Sequence, residues 1–153
     1  MSREPSQKRL DAIVDAEKPP SPWRVVWRDP HNKRGQFFCP GVGWARGVAD
    51  FHNKLLECVP VVDRESLLVY LHEVGHIELK HGVDHYWEEL AQCEYEAETY
   101  AIKALRAYGI AVPRTYIAKA KSYVDSCIRM NPSITQTEEC LRFAYGAKWR
   151  DFS

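Results

Sequence analysis

The sequence lacks any apolar run close to the roughly 20 residues that a membrane-spanning helix needs, although 45% of its 153 residues are hydrophobic. Its N-terminus is charged and has no apolar core of the kind that secretory signals carry. Net charge is also absent, because 21 basic residues balance 21 acidic ones, whereas nucleic-acid-binding domains are usually basic. We therefore expect a globular protein of the cytoplasm that does not enter a membrane and does not bind nucleic acid directly.

Cysteine is present but lacks a recognisable pattern. The five cysteines form no CxxC pair, and their odd number and irregular spacing favour neither a disulfide framework nor a thiolate zinc site. We expect free thiols that pack as small hydrophobic side chains in a reducing compartment.

The zero net charge conceals a segregation of charge along the chain. Residues 64–112 carry 9 acidic and 4 basic groups, and four of the six histidines lie among them. The flanks are mildly basic, with 10 basic and 8 acidic groups before this segment and 7 basic and 4 acidic groups after it. A solvated acidic helix face would account for such a segment, so the charge alone does not identify a site.

The order of the secondary-structure signals predicts an α+β protein with a small antiparallel or mixed sheet followed by helices. Short segments rich in β-branched and aromatic residues come first, at 23–27 and 36–39 and in a hairpin that joins 47–51 to 55–62. Helices are predicted over about 64–81, 86–107 and 114–130, and then from a capping box of Ser133 and Gln136 to about 149. Asp63 is predicted to cap the first of these helices, with Ser66 three residues later.

The domain organisation follows from the same signals. Residues 1–22 are polar and end in three prolines, which predicts an N-terminal tether that contains a short helix over about 7–17. Residues 23–153 are predicted to form a single domain, of which 113–153 is a C-terminal helical extension.

One motif points to specific chemistry. His72-Glu73-Val74-Gly75-His76 lies on the helix predicted over 64–81, directly after an apolar stretch that indicates burial. Histidines at i and i+4 lie on one face, so both rings can bind one cation, and Glu73 is near enough to hold a water bound to it. HExxH on a helix is typical of two zinc ligands and a general base. A pair of satisfied core histidines is the alternative, but a buried group of this kind costs several kcal/mol without partners.

A catalytic zinc site needs a third protein ligand, and the sequence offers two candidates. His81 lies five residues after His76 and would point away from the ligand face if the helix continues. The alternative for His81 is a residue at the helix C-terminus that interacts with the last carbonyls. Glu94 and Glu98 share a face of the next predicted helix, where one can bind the metal and the other can accept a ring N–H from a ligand histidine. An exposed acidic face with no ligand role is the alternative for this pair.

These residues resemble the ImmA/IrrE-type metallopeptidases, small gluzincin-like zinc proteins of bacteria and their mobile elements. The resemblance covers about residues 45–105 and is carried by His72–Gly82, in which His81 matches a family histidine, and by Gln92–Ala101. It implies a zincin-like fold in which Glu94 is the metal-binding glutamate. Glu98 departs from the Asn or Asp that is usual at its position, and Tyr100 departs from the usual Phe.

The resemblance implies a zinc-dependent peptidase that cleaves a specific partner protein or peptide, such as a regulator or repressor. Zn²⁺ on His72, His76 and Glu94 would leave one position for water, and Glu73 would take that water's proton. The 47–62 hairpin can offer an edge strand to the substrate. The oxyanion also needs a partner, and the sequence does not choose among four candidates: Tyr100, His85, Tyr86 and His81.

Two other functions stay open. The first is a zinc-containing regulatory or binding module that lacks turnover and acts in DNA-linked regulation. The second is a nucleic-acid-associated factor that uses the basic residues of 113–153, although a solvated helix surface explains those residues more simply.

Overall fold

The computed structural model describes residues 3–82 and 87–152, which form a mixed α+β fold and confirm the predicted fold class. In chain order the elements are α1 (Gln7–Ala16), β1 (Arg24–Trp27), β2 (Phe37–Cys39), β3 (Gly43–Ala45), β4 (Gly47–Asp50), β5 (Leu55–Cys58), α2 (Arg64–Glu78), α3 (Leu90–Ala107), α4 (Arg114–Met130), α5 (Glu138–Tyr145) and a final 3₁₀ helix (Gly146–Phe152). None of the helices in the described part of the chain is long and apolar enough to cross a membrane.

The main sheet has three strands in the order β1-β5-β4. β4 and β5 form the predicted antiparallel hairpin, in which Gly47 pairs with Cys58 and Asp50 pairs with Leu55. β1 joins the other side of β5 in parallel. β4 therefore lies at an edge of the sheet.

A second, two-stranded sheet was only half predicted. β2 matches the predicted strand, but it pairs with β3, for which no strand was predicted. Pro40 and Gly41 lie in the turn of this hairpin, which the N–H of Val42 closes by donating to the carbonyl of Cys39 at 3.0 Å. Phe38 and Trp44 pack edge to face across the two strands at 5.6 Å.

The central helix is α2, and its apolar stretch is buried as the sequence predicted. Leu67, Leu68 and Leu71 are fully buried. Asp63 caps the helix by accepting from the Ser66 N–H at 2.7 Å, and the Ser66 hydroxyl returns a bond to the cap, which confirms the predicted N-terminus.

The C-terminus of α2 lies three residues earlier than predicted. The helix ends at Glu78, and Lys80 takes a left-handed conformation with φ of 57°. The chain therefore turns back at this point, and His81 is buried beside the helix rather than continuing it.

The N-terminal segment contributes a helix to the core. α1 is the short helix that the sequence predicted, and its Leu10 and Ile13 are buried in the main hydrophobic cluster. The Gln7 amide also donates to the carbonyl of Val61 at 2.8 Å. Residues 7–16 of the predicted tether therefore belong to the folded domain, because two apolar side chains on one face of α1 are covered by the rest of the protein.

The C-terminal helices pack on α3 through a second, smaller core. α4 has the predicted bounds, and Val124 and Cys127 on α4 meet Ala91 on α3 and Cys140 on α5. The predicted cap at Ser133 is wrong, because the side chain of Thr137 accepts from the Cys140 N–H and starts the helix four residues later. All five cysteines are free and buried, as predicted.

Candidate metal centre

Small side chains allow α2 and α3 to approach each other closely. Ala97 and Ala101 on α3 are fully buried. On α2, a Cβ placed at Gly75 would lie 3.0 Å from the ring of Tyr100, so a larger residue here would crowd this contact. The close approach brings the HExxH face of α2 and the acidic face of α3 together.

Three side chains converge at this interface. His72 Nε2 lies 3.0 Å from His76 Nε2, and Glu94 Oε2 lies 3.0 Å from the first of these nitrogens and 3.3 Å from the second. All three residues are buried. Ligands bound to zinc at about 2.0–2.1 Å in tetrahedral geometry are roughly 3.3 Å apart, so the donor set fits one metal ion.

The structure also separates the two candidates for the third ligand. Glu94 faces the Nε2 atoms of both histidines. His81 instead places its Nδ1 2.9 Å from His76 Nδ1, on the opposite side of that ring from Glu94. The left-handed Lys80 is the reason, because it folds the chain back behind His76.

The buried charges of the cluster shift one another's pKa values. Burial alone would lower the pKa of His72, but Glu98 and Glu94 outweigh burial and hold that pKa well above its usual range. Burial would raise the pKa of Glu94, but hydrogen bonds from His72 and His76 hold it well below its usual range. The site is therefore built to keep a carboxylate ionised in a buried environment, as a cation ligand requires.

Glu98 lies where the sequence analysis expected a partner for a ligand histidine. Its Oε1 is 3.0 Å from His72 Nδ1, and its Oε2 accepts the hydroxyl hydrogen of Tyr116 at 2.6 Å. A carboxylate beside Nδ1 favours the ring form that leaves the Nε2 lone pair available to a metal ion. Tyr116 lies on α4, and the sequence analysis did not single it out.

His81 and Glu96 form a second set of contacts behind the centre. His81 Nε2 lies 3.2 Å from Glu96 Oε2, so His81 bridges His76 and Glu96. Burial and the neighbouring His76 lower the pKa of His81, which favours the neutral ring. Glu96 points away from Glu94, as its position two residues later predicts.

Glu73 lies beside the group of His72, His76 and Glu94 but is not one of its three members. It is buried, and burial raises the pKa of its carboxyl group against the opposing effect of His72 and His76. Edge strand β4 passes directly beside it, since a Cβ added to Gly47 would lie 2.8 Å from Glu73 Cγ. The sequence analysis did not predict the close contact of Gly47 with Glu73, because this contact depends on how the hairpin packs on α2.

A large cleft of about 1150 Å³ opens onto the centre. Its walls are β4, the β2–β3 hairpin and one face of α4, and its floor includes His72, Glu73, His76, Glu94 and Glu98. Tyr116 and Tyr123 project into it from α4, two turns apart. Three exposed apolar side chains line its rim: Val42, Trp44 and Trp87.

The candidates for an oxyanion partner are placed differently from one another. Tyr100 packs against Gly75 between α2 and α3, and His81 lies behind His76. His85 and Tyr86 lie outside the described residues. Tyr123, which was not a candidate, lines the cleft, and its pKa is raised by burial and by Glu94.

A comparison with known proteins found no matching family model, no significantly similar curated protein and no significantly similar solved structure. The ImmA/IrrE resemblance therefore stays a prediction based on the motif residues.

Proposed function

We propose that the protein is a zincin-like, zinc-dependent metallopeptidase of the ImmA/IrrE type that hydrolyses a peptide bond in a specific protein or peptide. The observation that carries the proposal is the convergence of His72, His76 and Glu94 beside the buried carboxylate of Glu73 on the floor of an open cleft. A metal site with a base and access for a substrate has the parts that peptide hydrolysis needs.

The donor set favours zinc. Two imidazole nitrogens and one carboxylate oxygen are the ligands of many catalytic zinc sites, in which a fourth position is left for water. His72 and His76 would supply the nitrogens, and Glu94 would supply the oxygen. When bound, the ion would lower the pKa of a water molecule toward 7 and polarise the scissile carbonyl group.

The protein's own residues would carry the proton transfers and place the substrate. Glu73 would accept a proton from the attacking water and deliver it to the leaving amine, a role that its raised pKa suits. An extended peptide can pair with the free edge of β4, which lines the cleft beside Glu73. The apolar rim at Val42, Trp44 and Trp87 favours a substrate with apolar side chains near the cleaved bond.

The test uses the purified protein loaded with zinc and a diverse peptide pool, in which new termini are identified by mass spectrometry. We expect cleavage by the wild type and a drop of about 10²- to 10⁴-fold in Glu73→Gln at unchanged zinc content. Glu78→Gln is the matched control, since Glu78 is exposed at the end of the same helix.

Equal cleavage by wild type and Glu73→Gln would contradict the proposal. Zinc binding without cleavage of any peptide or of a candidate partner protein would favour the alternative of a zinc-containing regulatory or binding module.

A further inference from the structure

α4 lies outside the segment that carries the HExxH motif and the acidic helix, yet it reaches the centre. The Tyr116 hydroxyl donates to Glu98 Oε2 at 2.6 Å, and both residues are buried. The other oxygen of Glu98 lies 3.0 Å from His72 Nδ1. We propose that Tyr116 is a positioning residue of the metal centre, which acts on His72 through Glu98 and makes α4 a part of the site.

The direction of each hydrogen bond follows from the chemistry of the groups. Burial and the adjacent Glu98 raise the pKa of Tyr116 well above its usual range. The phenol therefore stays protonated and is the donor of the hydrogen bond. Glu98 accepts from the phenol with one oxygen, and its other oxygen lies 3.0 Å from His72 Nδ1. A carboxylate that the phenol holds beside Nδ1 favours the ring form in which Nδ1 is protonated and Nε2 is available to a metal.

The packing of α4 makes the phenol a rigid anchor. Ala120 and Val124 follow Tyr116 at four-residue intervals, and both are buried on the same face of the helix. The hydroxyl is therefore held by the packing of the whole helix face and not by its hydrogen bond alone. A short charge-assisted bond from a rigid donor suits the orientation of a ligand better than a flexible surface contact does.

This inference rests on the metal site of the proposed function and not on peptide hydrolysis. The test compares Tyr116→Phe, which removes one oxygen atom, with Tyr145→Phe. Tyr145 is a matched control because its hydroxyl also donates to a carboxylate at 2.6 Å, that of Asp125 on α4. Zinc affinity is measured by competition with a chromophoric chelator, and the ligand geometry is followed by the visible spectrum of the Co²⁺-substituted protein.

We expect Tyr116→Phe to weaken zinc binding by about tenfold, the low end of the range for partners behind a metal ligand, and to shift the Co²⁺ absorption bands. Tyr145→Phe should change neither. The inference is overturned if Tyr116→Phe keeps the wild-type affinity and spectrum, or if both variants lose affinity equally.

A double-mutant cycle with Glu98→Ala separates positioning from a general loss of structure. If Tyr116 acts through Glu98, adding Tyr116→Phe to Glu98→Ala causes no further loss of zinc affinity. Additive losses would overturn the inference. A wild type that binds zinc but cleaves nothing leaves the inference standing while the peptidase proposal fails, and a wild type that binds no zinc overturns both.

Discussion

The two histidines of the centre present the same ring nitrogen to Glu94, but their other nitrogens meet different partners. His72 Nδ1 faces the carboxylate of Glu98, which is buried and held in turn by Tyr116. His76 Nδ1 faces another imidazole, that of His81, whose own partner Glu96 is more than one-third exposed.

The difference predicts that the two histidines would not be equivalent as metal ligands. An anionic partner on Nδ1 makes the imidazole a stronger electron donor than a neutral partner does. Water also weakens the contribution of the partly exposed Glu96. We therefore expect the His72 side to contribute more to metal affinity than the His76 side, although both histidines occupy one face of α2.

The largest effect should come from the residue that the two sides share. Glu94→Gln keeps the size of the side chain but removes the charge that faces both Nε2 atoms. We expect zinc affinity to fall by more than about 100-fold, above the usual range for residues behind a ligand. Glu89→Gln, an exposed residue just before the same helix, is the control, and chelator competition is the measurement. Undiminished zinc in Glu94→Gln would remove Glu94 as a ligand.

The next effect tests the comparison directly. Glu98→Ala removes the buried partner of His72 and should weaken zinc binding by about 10- to 100-fold. Glu96→Ala removes a partly exposed carboxylate that reaches His76 only through His81. We expect zinc affinity to change by less than about threefold, because solvent already screens this charge. Titrations of both variants under one set of conditions decide the matter, and equal losses would show that the two sides are equivalent.

Local periodicity was enough to predict the parts of the site that lie on single helices. His72 and His76, like Glu94 and Glu98, are four residues apart, so their shared faces follow from helix geometry alone. The packing of α3 on α2 brings the two faces together. The hairpin of β4 and β5 could also be predicted, because its two strands are close in sequence.

The remaining contacts depend on tertiary structure that no local pattern encodes. His81 reaches His76 only because Lys80 takes a left-handed conformation, and lysine carries no strong signal for that turn. Tyr116 lies 18 residues beyond Glu98, and its contact depends on how α4 packs on α3. The sequence does place Tyr116 four residues before Ala120, on what becomes the buried face of α4. The same spacing is typical of any aromatic residue that faces a core.

The smallest expected effect concerns the metal-free protein, in which the two sides should respond to pH in opposite directions. Burial would lower the pKa of His72, but Glu98 and Glu94 raise it, so the folded state binds more protons at this site than the unfolded state. Its stabilisation is complete below the ordinary histidine pKa of about 6.5 and is lost as the pH rises through the folded value. Burial and His76 lower the pKa of His81, so its contribution is present above about 6.5 and is lost as the pH falls.

Urea unfolding with EDTA present, from about pH 5.5 to 8.5, checks these signs. Glu98→Gln should flatten the fall in the free energy of unfolding above about pH 6.5. His81→Asn should act below that pH, where it removes a group that disfavours protonation in the folded state, and its effect should be smaller because His81 is flanked by an exposed carboxylate. If both variants instead changed the free energy of unfolding on the same side of about pH 6.5, the environments of His72 and His81 would be electrostatically alike. Any difference in metal affinity between the His72 and His76 sides would then have to come from rigidity alone.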